Sequence, residues 1–525
     1  MKRKRFNGGM FDGVAFMVLL MIVTFAVPVW GQHLDWARQH GGNANGNAIA
    51  ADGDGNSYVT GYFSADAVFG PGETNETTLQ GEGMFLAGYD ADGSLLWARQ
   101  ACGPVDGWTA GIAVDGEGNS YVTGSCSGTL LVARYDSDGT LLWGALAAGA
   151  VRGHGVAADG NGNSYVAGSF IDTAVFGSGE VHETTLTSSG TDGIFIAKYA
   201  GDGALLWVRQ AVGRVAGIAV DGEGNSYVTG SHAGPFFLAK YAGDGSLLWD
   251  AQAVGPVASY GVAVDGEGNS YVTGVFNSLA TFGPGEENET TLEDSHGFTG
   301  YNDDVDIFVA KYAGDGRLLW ARTEYILWDM EGANGIAVDG AGNSYVTGYF
   351  SGDAIFGPGE ATETALSRES GLNDVFVAGY DTDGNLLWAR QAGGEGYSDY
   401  AGGEGVAADG EGNVYITGYF VGPATFGSGE INETVLTNPP DNTAIFVARY
   451  SRHTIQDLID MIEGFDLDRG LETALTRLLH DARSRNAATF LTAFINAVEA
   501  QGGKKLTPEQ AEQLAGTARQ IMAEP

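Results

Sequence analysis

The sequence predicts an all-β ring of seven four-stranded sheets, closed by a strand from the N-terminal side and followed by a small α-helical unit. Three observations predict it. A chain of 525 residues is too long for one hydrophobic core. Three short signatures each recur seven times, and the composition turns to helix formers after Ser451. Glycine supplies 84 residues, hydrophobics 44% and aromatics 11%, which suits many short strands joined by tight turns and argues against disorder.

The segment before the repeats stands apart. Lys2 to Arg5 are basic, Val14 to Val29 is apolar, and Val29-Trp30-Gly31 offers small residues at cleavage spacing. Residues 1–31 read as a signal peptide cut after Gly31, which implies export to the periplasm, the cell surface or the medium. The rival reading is an uncleaved anchor, since Gly13 to Gly31 is 19 uncharged residues and a spanning helix needs roughly 20. A membrane is a partner only in that case.

Residues 32–451 carry the repeats. Each opens with a small apolar strand such as GIAVD, where Gly, Ala and Val allow backbones to approach closely. DGxGN, from Asp52 to Asp409, then turns the chain, its glycines and asparagine supplying positive φ. SYVTG follows as a second strand rich in β-branched and aromatic residues. After a variable connection comes a third strand ending in Tyr, as in IFVAKY, and a turn such as YDADG leads into LLWARQ, the fourth. Four strands in fixed order, repeated, are the sequence sign of a β-propeller blade. HLDWARQ, at His33, is a fourth strand with no blade before it, whereas IFVARY, ending at Tyr450, has no LLW strand after it. The two are expected to pair and close the ring. Closure leaves no gap between first and last blades, so a monomer is expected. Trp36, Trp97, Trp143, Trp207, Trp249, Trp320 and Trp388, one per blade, read as packing between neighbouring sheets and not as a stacking platform for ligand.

From His33 to Tyr450, DGEGNSYVTG and IFVAKYxxDGxLLWAR resemble the bacterial seven-bladed β-propeller (SBBP) repeat family. The resemblance implies a secreted or surface scaffold with no common catalytic residue to carry over. After Ser451, Thr454 to Asp457 and Thr507 to Gln510 have the form of capping boxes, and LETALTRLLHDA and ATFLTAFINAVEA show helical spacing. Three or four short helices are expected over 452–525. The segment from Ala493 to Ile521 resembles the FIMAH domain of secreted bacterial proteins, which implies an accessory or interaction module.

The net charge of −40 lies on the repeats, because the leader (+3) and the tail (−3) cancel. Such a surface repels phosphate backbones, so nucleic acid is excluded as a partner class, and cations or neutral ligands fit better. Cys102 and Cys126 either pair or remain free, since sequence does not give their separation. Five blades insert FGxGExxET: Glu73 with Glu76, Glu180 with Glu183, Glu286 with Glu289, Glu360 with Glu363, and Glu430 with Glu433. Both uniform turns lie at one end of each blade, so these insertions are assigned to the opposite, variable face. Their carboxylates make weak calcium binding conceivable, and the plainer reading is a solvated acidic loop. Asn75, Asn288 and Asn432 stand in N-E-T sequons that read as by-products of the repeat.

Trp108, Tyr260, Tyr325, Trp328, Tyr397 and Tyr400 are assigned to the connections leading into the next blade, on the variable face. Aromatic rings there suit a protein or carbohydrate partner, with covering of the core's ends as the structural alternative. The eight histidines share no blade position, and GxSxG, HExxH and phosphate-cradling loops are absent from the sequence. No catalytic residue, metal ligand or cofactor site is therefore assigned. The function expected is a non-catalytic binding scaffold; the alternative is a polysaccharide hydrolase or lyase with a site in the central pocket.

Overall fold

The computed structural model describes residues 32–523 apart from 104, 189–191, 212, 232–235, 295–304, 328–331, 369–371, 395–399, 431, 439–441, 466 and 485–486. The signal-peptide segment 1–31 lies outside the described residues, as do Trp328 and Tyr397. Among the described residues no helix is long and apolar enough to cross a membrane.

The strands form antiparallel four-stranded sets in chain order. Ala44–Ala51, Ser57–Phe63, Gly83–Tyr89 and Leu95–Cys102 make one such set, each strand paired with the next. The set holding the last strand is assembled from both ends of the repeat region. Ala444–Ser451 has Val414–Val421 on one side and His33–His40 on the other, with Trp36 opposite Arg449 and His40 opposite Ile445. The leading strand thus supplies the fourth strand that the last repeat lacks. Elsewhere one set runs directly into the next: Leu141–Ala158 pairs with Thr129–Tyr135 through its first half and with Ser164–Phe176 through its second.

Neighbouring sets dock through two repeated contacts. The first is made by tryptophan. In six copies the indole Nε1 donates to a backbone carbonyl in the next set's xDG turn, from Trp36 to Ala91 at 2.9 Å to Trp320 to Thr382 at 3.0 Å. The turn glycine lies flat beneath the ring, and a Cβ on Gly93 would stand 2.7 Å from Trp36. Gly93 also adopts φ of 76°, so its missing side chain serves both the turn and the docking.

The second contact runs through the DGxGN turn. Asp221 Oδ1 accepts the backbone N–H groups of Glu223 and Asn225, and its Oδ2 accepts the Asn225 amide. The Tyr227 hydroxyl sits between Asp221 Oδ2 (3.1 Å) and the carbonyl of Gly268 in the next set (2.8 Å). Lys240 completes the group, its Nζ 3.3 Å from Asp221 and 4.7 Å from the Tyr227 ring centroid. The same tyrosine link joins last set to first, from Tyr415 to Gly55 at 3.1 Å.

The acidic insertions have a structural role that corrects their expected position. Each folds back so that its first glutamate accepts the N–H of the leucine that begins the LxW motif of a fourth strand, which in four of the five copies follows the xDG turn directly. Glu73 takes Leu95 N at 2.6 Å, Glu180 takes Leu205 N at 2.6 Å, and Glu430 takes Leu34 N at 2.6 Å, pinning the closing strand. The second glutamate closes its own loop, as Glu76 does on Gly72 N at 2.6 Å. The sequon asparagines donate to the carbonyls of the same leucines: Asn75 to Leu95, Asn288 to Leu318 and Asn432 to Leu34. The insertion tips therefore lie by the uniform turns, not free on the variable face, and their carboxylates are occupied by backbone donors.

Cys102 and Cys126 are joined in a disulfide, with 6.2 Å between their Cα atoms. It ties the end of one fourth strand to the second strand of a set that has no FGxGE insertion, and closing its loop stabilises by about 3 kcal/mol on chain entropy.

After Ser451 follow α1 (Ile455–Gly464), α2 (Arg469–Ser484), α3 (Ala487–Gln501) and α4 (Pro508–Ala523). Thr454 with Asp457 and Thr507 with Gln510 form reciprocal capping boxes at α1 and α4. Leu458, Ile462, Leu475, Leu479, Phe494, Val498 and Leu514 make this region its own core.

Candidate functional site: the mouth of the central channel

The innermost strands share one irregularity. Pairing with the second strand skips a residue between Gly46 and Ala48, Gly153 and Gly155, Val215 and Gly217, Ser259 and Gly261, Ala333 and Gly335, and Gly403 and Gly405. The skipped residues are Asn47, His154, Ala216, Tyr260, Asn334 and Glu404. Such a bulge re-aims one side chain, and all six line a single cavity of about 550 Å³ on the axis of the ring.

Glycine makes the bulge fit. The carbonyl displaced by it presses on the glycine of SYVTG, where a Cβ on Gly348 would stand 1.7 Å from Gly332 O. The residue after the bulge packs on the next inner strand, where a Cβ on Gly405 would stand 3.0 Å from the Ala48 Cα. The backbone is thus fixed by glycines, while the side chain at the bulge is free to differ from blade to blade.

One wall of the cavity is basic and polar. Arg152, Arg214 and Asp192 line it beside His154, whose Nε2 lies 2.9 Å from Ser169 Oγ. Burial, and then the Arg152 and Arg214 charges, push the imidazole below its usual range, so it is neutral at pH 7. On another wall burial raises the Glu404 carboxyl to about 7. Near Glu404 stand Tyr62, Tyr400 and Tyr419, with Tyr400 and Tyr419 edge to face at 5.9 Å. Burial, and then the charge of Glu404, push the Tyr62 and Tyr419 hydroxyls up and keep them protonated. Asn45 donates to the Tyr62 hydroxyl at 2.8 Å, and Asn334 donates to Gly403 O at 2.9 Å. The cavity lining offers two guanidinium groups, two carboxyl groups, neutral donors and acceptors, and one tyrosine, Tyr260.

The aromatic residues expected in connections are distributed differently. Tyr260 is at a bulge within the strand Val257–Val264, lines the cavity and is 42% exposed. Tyr400 opens the inner strand Tyr400–Ala408 and meets Tyr419. Tyr325 lies in the outer strand Leu318–Leu327 opposite Ile355, apart from the cavity lining. Trp108 lies in the strand Val105–Val114. These four are strand residues because the strands run past the signatures that mark them. Asn47, Arg152, His154, Arg214, Asn334 and Glu404 were not singled out from sequence. For Asn47, His154, Asn334 and Glu404 the signal is present nonetheless: the one variable position before the small strand that ends at the DGxGN aspartate.

Comparison with known proteins agrees on the repeat. The SBBP β-propeller repeat model matches residues 35–62, 97–131, 140–169 and 387–419. No curated protein matches the chain. Among solved structures, the Neurospora crassa Pan2 WD40 domain is similar at 8% identity and a TM-score of 0.40, over 80% of this chain and 96% of that one. A gluconolactonase from Xanthomonas campestris is similar at 14% identity and a TM-score of 0.26, over 62% of this chain and 82% of its own. A Lactobacillus plantarum protein is similar at 13% identity and a TM-score of 0.32, over 63% and 98%. The chain carries β-propeller repeats of the SBBP type.

Proposed function

We propose that the repeats close a seven-bladed ring that is exported and serves as a non-catalytic scaffold, binding a carbohydrate partner at the mouth of its central channel. The observation that carries this reading is the set of unlike polar and aromatic side chains that the repeated bulges aim into one cavity. The Tyr260 ring beside hydrogen-bonding groups suits a sugar ring, and Arg152 with Arg214 suits a sugar acid, because guanidinium pairs with carboxylate in two parallel bonds. The disulfide supports export, since such bonds persist in oxidising compartments. The helical region, whose Ala493 to Ile521 segment resembles FIMAH, provides a second contact.

Titration calorimetry with oligouronates and their neutral counterparts tests the reading. Binding of the acidic form, weakened at least tenfold by Arg214→Ala and by Tyr260→Ala with the melting temperature unchanged, is the expected result. Binding that both variants leave intact would place the partner elsewhere. The alternative, a hydrolase or lyase, draws on one observation: a carboxyl at about 7 is poised as a general acid near neutrality. Polysaccharide turnover that Glu404→Gln abolishes would decide for it.

A further inference from the structure

Where the ring closes and the helical region begins, two histidines meet. His33, first residue of the closing strand, stacks on His453, two residues before α1, with ring centroids 3.7 Å apart and planes 7° from parallel. Asp457, in the first turn of α1, completes a group in which one ligand atom of each residue lies within 4.8 Å of the others. His33 is 4% exposed. Its Nε2 is engaged by Asp35 Oδ1 at 3.1 Å, which leaves Nδ1, and that atom is buried without a hydrogen-bond partner. His453 Nδ1 is buried without a partner as well. Buried polar atoms are as a rule paired, so two orphaned imidazole nitrogens beside a carboxylate are a departure that asks for a ligand.

We propose that His33, His453 and Asp457 form a site for one divalent transition ion of the zinc class. The donor set argues for it: two imidazole nitrogens and one carboxylate suit zinc, whereas calcium and magnesium take oxygen. Asp35 stands where an outer carboxylate orients a ligating histidine, by accepting from the ring nitrogen that does not face the metal. A metal lies in the plane of each imidazole it binds, so loading turns the two stacked rings out of parallel toward a common point. His453, in the short link before α1, lies outside the strands that fix His33. The ion joins the first residue of the closing strand to the first turn of α1, tying ring and helical region together at one point.

Equilibrium dialysis of the full-length chain, free of any histidine tag, against zinc alone, with metal content measured by elemental analysis, tests the site. One zinc per chain is expected, with excess calcium failing to displace it. His453→Ala and Asp457→Asn are each expected to lower zinc affinity at least tenfold. Asp457 also closes the capping box of α1 and His453 stacks on His33, so zinc content per chain is compared among variants that keep the parent's helical circular dichroism. Cobalt bound in place of zinc should show weak visible bands and no thiolate charge-transfer band, because both cysteines are in the disulfide. Failure to bind zinc at micromolar concentration overturns the proposal. So does zinc binding that both variants leave unchanged.

Discussion

The two ends of each blade obey opposite rules. At the turn end every repeat presents the same residues, because each turn is also the surface on which the preceding blade docks: the xDG glycine beneath a tryptophan, the DGxGN carbonyl beside a tyrosine. At the channel mouth the bulge removes one side chain from that duty. Asn47, His154, Ala216, Tyr260, Asn334 and Glu404 occupy one backbone position, which thus holds five different residue types in six copies. Repetition is enforced where blades touch, and variety is admitted where they do not.

Four substitutions test that division. Trp388 is 3% exposed and packs against Tyr345 and Tyr450. Trp388→Ala should destabilise the ring by about 4 kcal/mol in chemical denaturation. A cost under about 1 kcal/mol would break the claim that the repeated indole is core. Gly348→Ala forces a methyl group onto a backbone carbonyl and should cost about 3 kcal/mol, showing that the framework behind the variable mouth is itself invariant. Tyr227→Phe removes a hydroxyl shared between a carboxylate and the next blade's backbone, for about 2 kcal/mol, with ligand binding at the mouth untouched.

The last test is a pH slope, spread over several pH units and not a single step. Glu404 is raised from 4.5 to about 7 and the wholly buried Glu324 to about 8, in both cases chiefly by burial. The folded state then holds protons that the unfolded state has released, so stability falls as pH rises from about 4.5 to about 8. Glu404→Gln should flatten the part of the slope below about 7 and leave the rest to Glu324. A slope unchanged by Glu404→Gln would mean that the mouth is wetter than its burial indicates.

The order of strands is legible because each carries its own mark, and the unpaired HLDWARQ pattern points to the strand ending at Tyr450, with which it pairs. The capping boxes were equally plain, since Thr454 and Thr507 act on residues three positions away. What stayed hidden was long-range. That Glu430 grips Leu34 cannot be told from composition, because a carboxylate capping an N–H some 400 residues distant has the same local sequence as one in water. The bulge escaped for another reason: attention to what recurs passes over a position whose only regularity is that it varies. Tyr260 was picked out as an aromatic in a loop, and it belongs instead to a strand that aims it at the axis.

His33 lies opposite Ser451, so the polypeptide enters the propeller and departs from it at neighbouring points. The entry point is at the turn end, where the Gln32 side-chain amide donates to the Gly412 carbonyl of a DGxGN turn. A tether attached before Gln32, or a load carried by the helices after Ser451, would therefore hold the disc by that end. Whichever terminus served as the handle, the pull would reach the repeats through the same sheet.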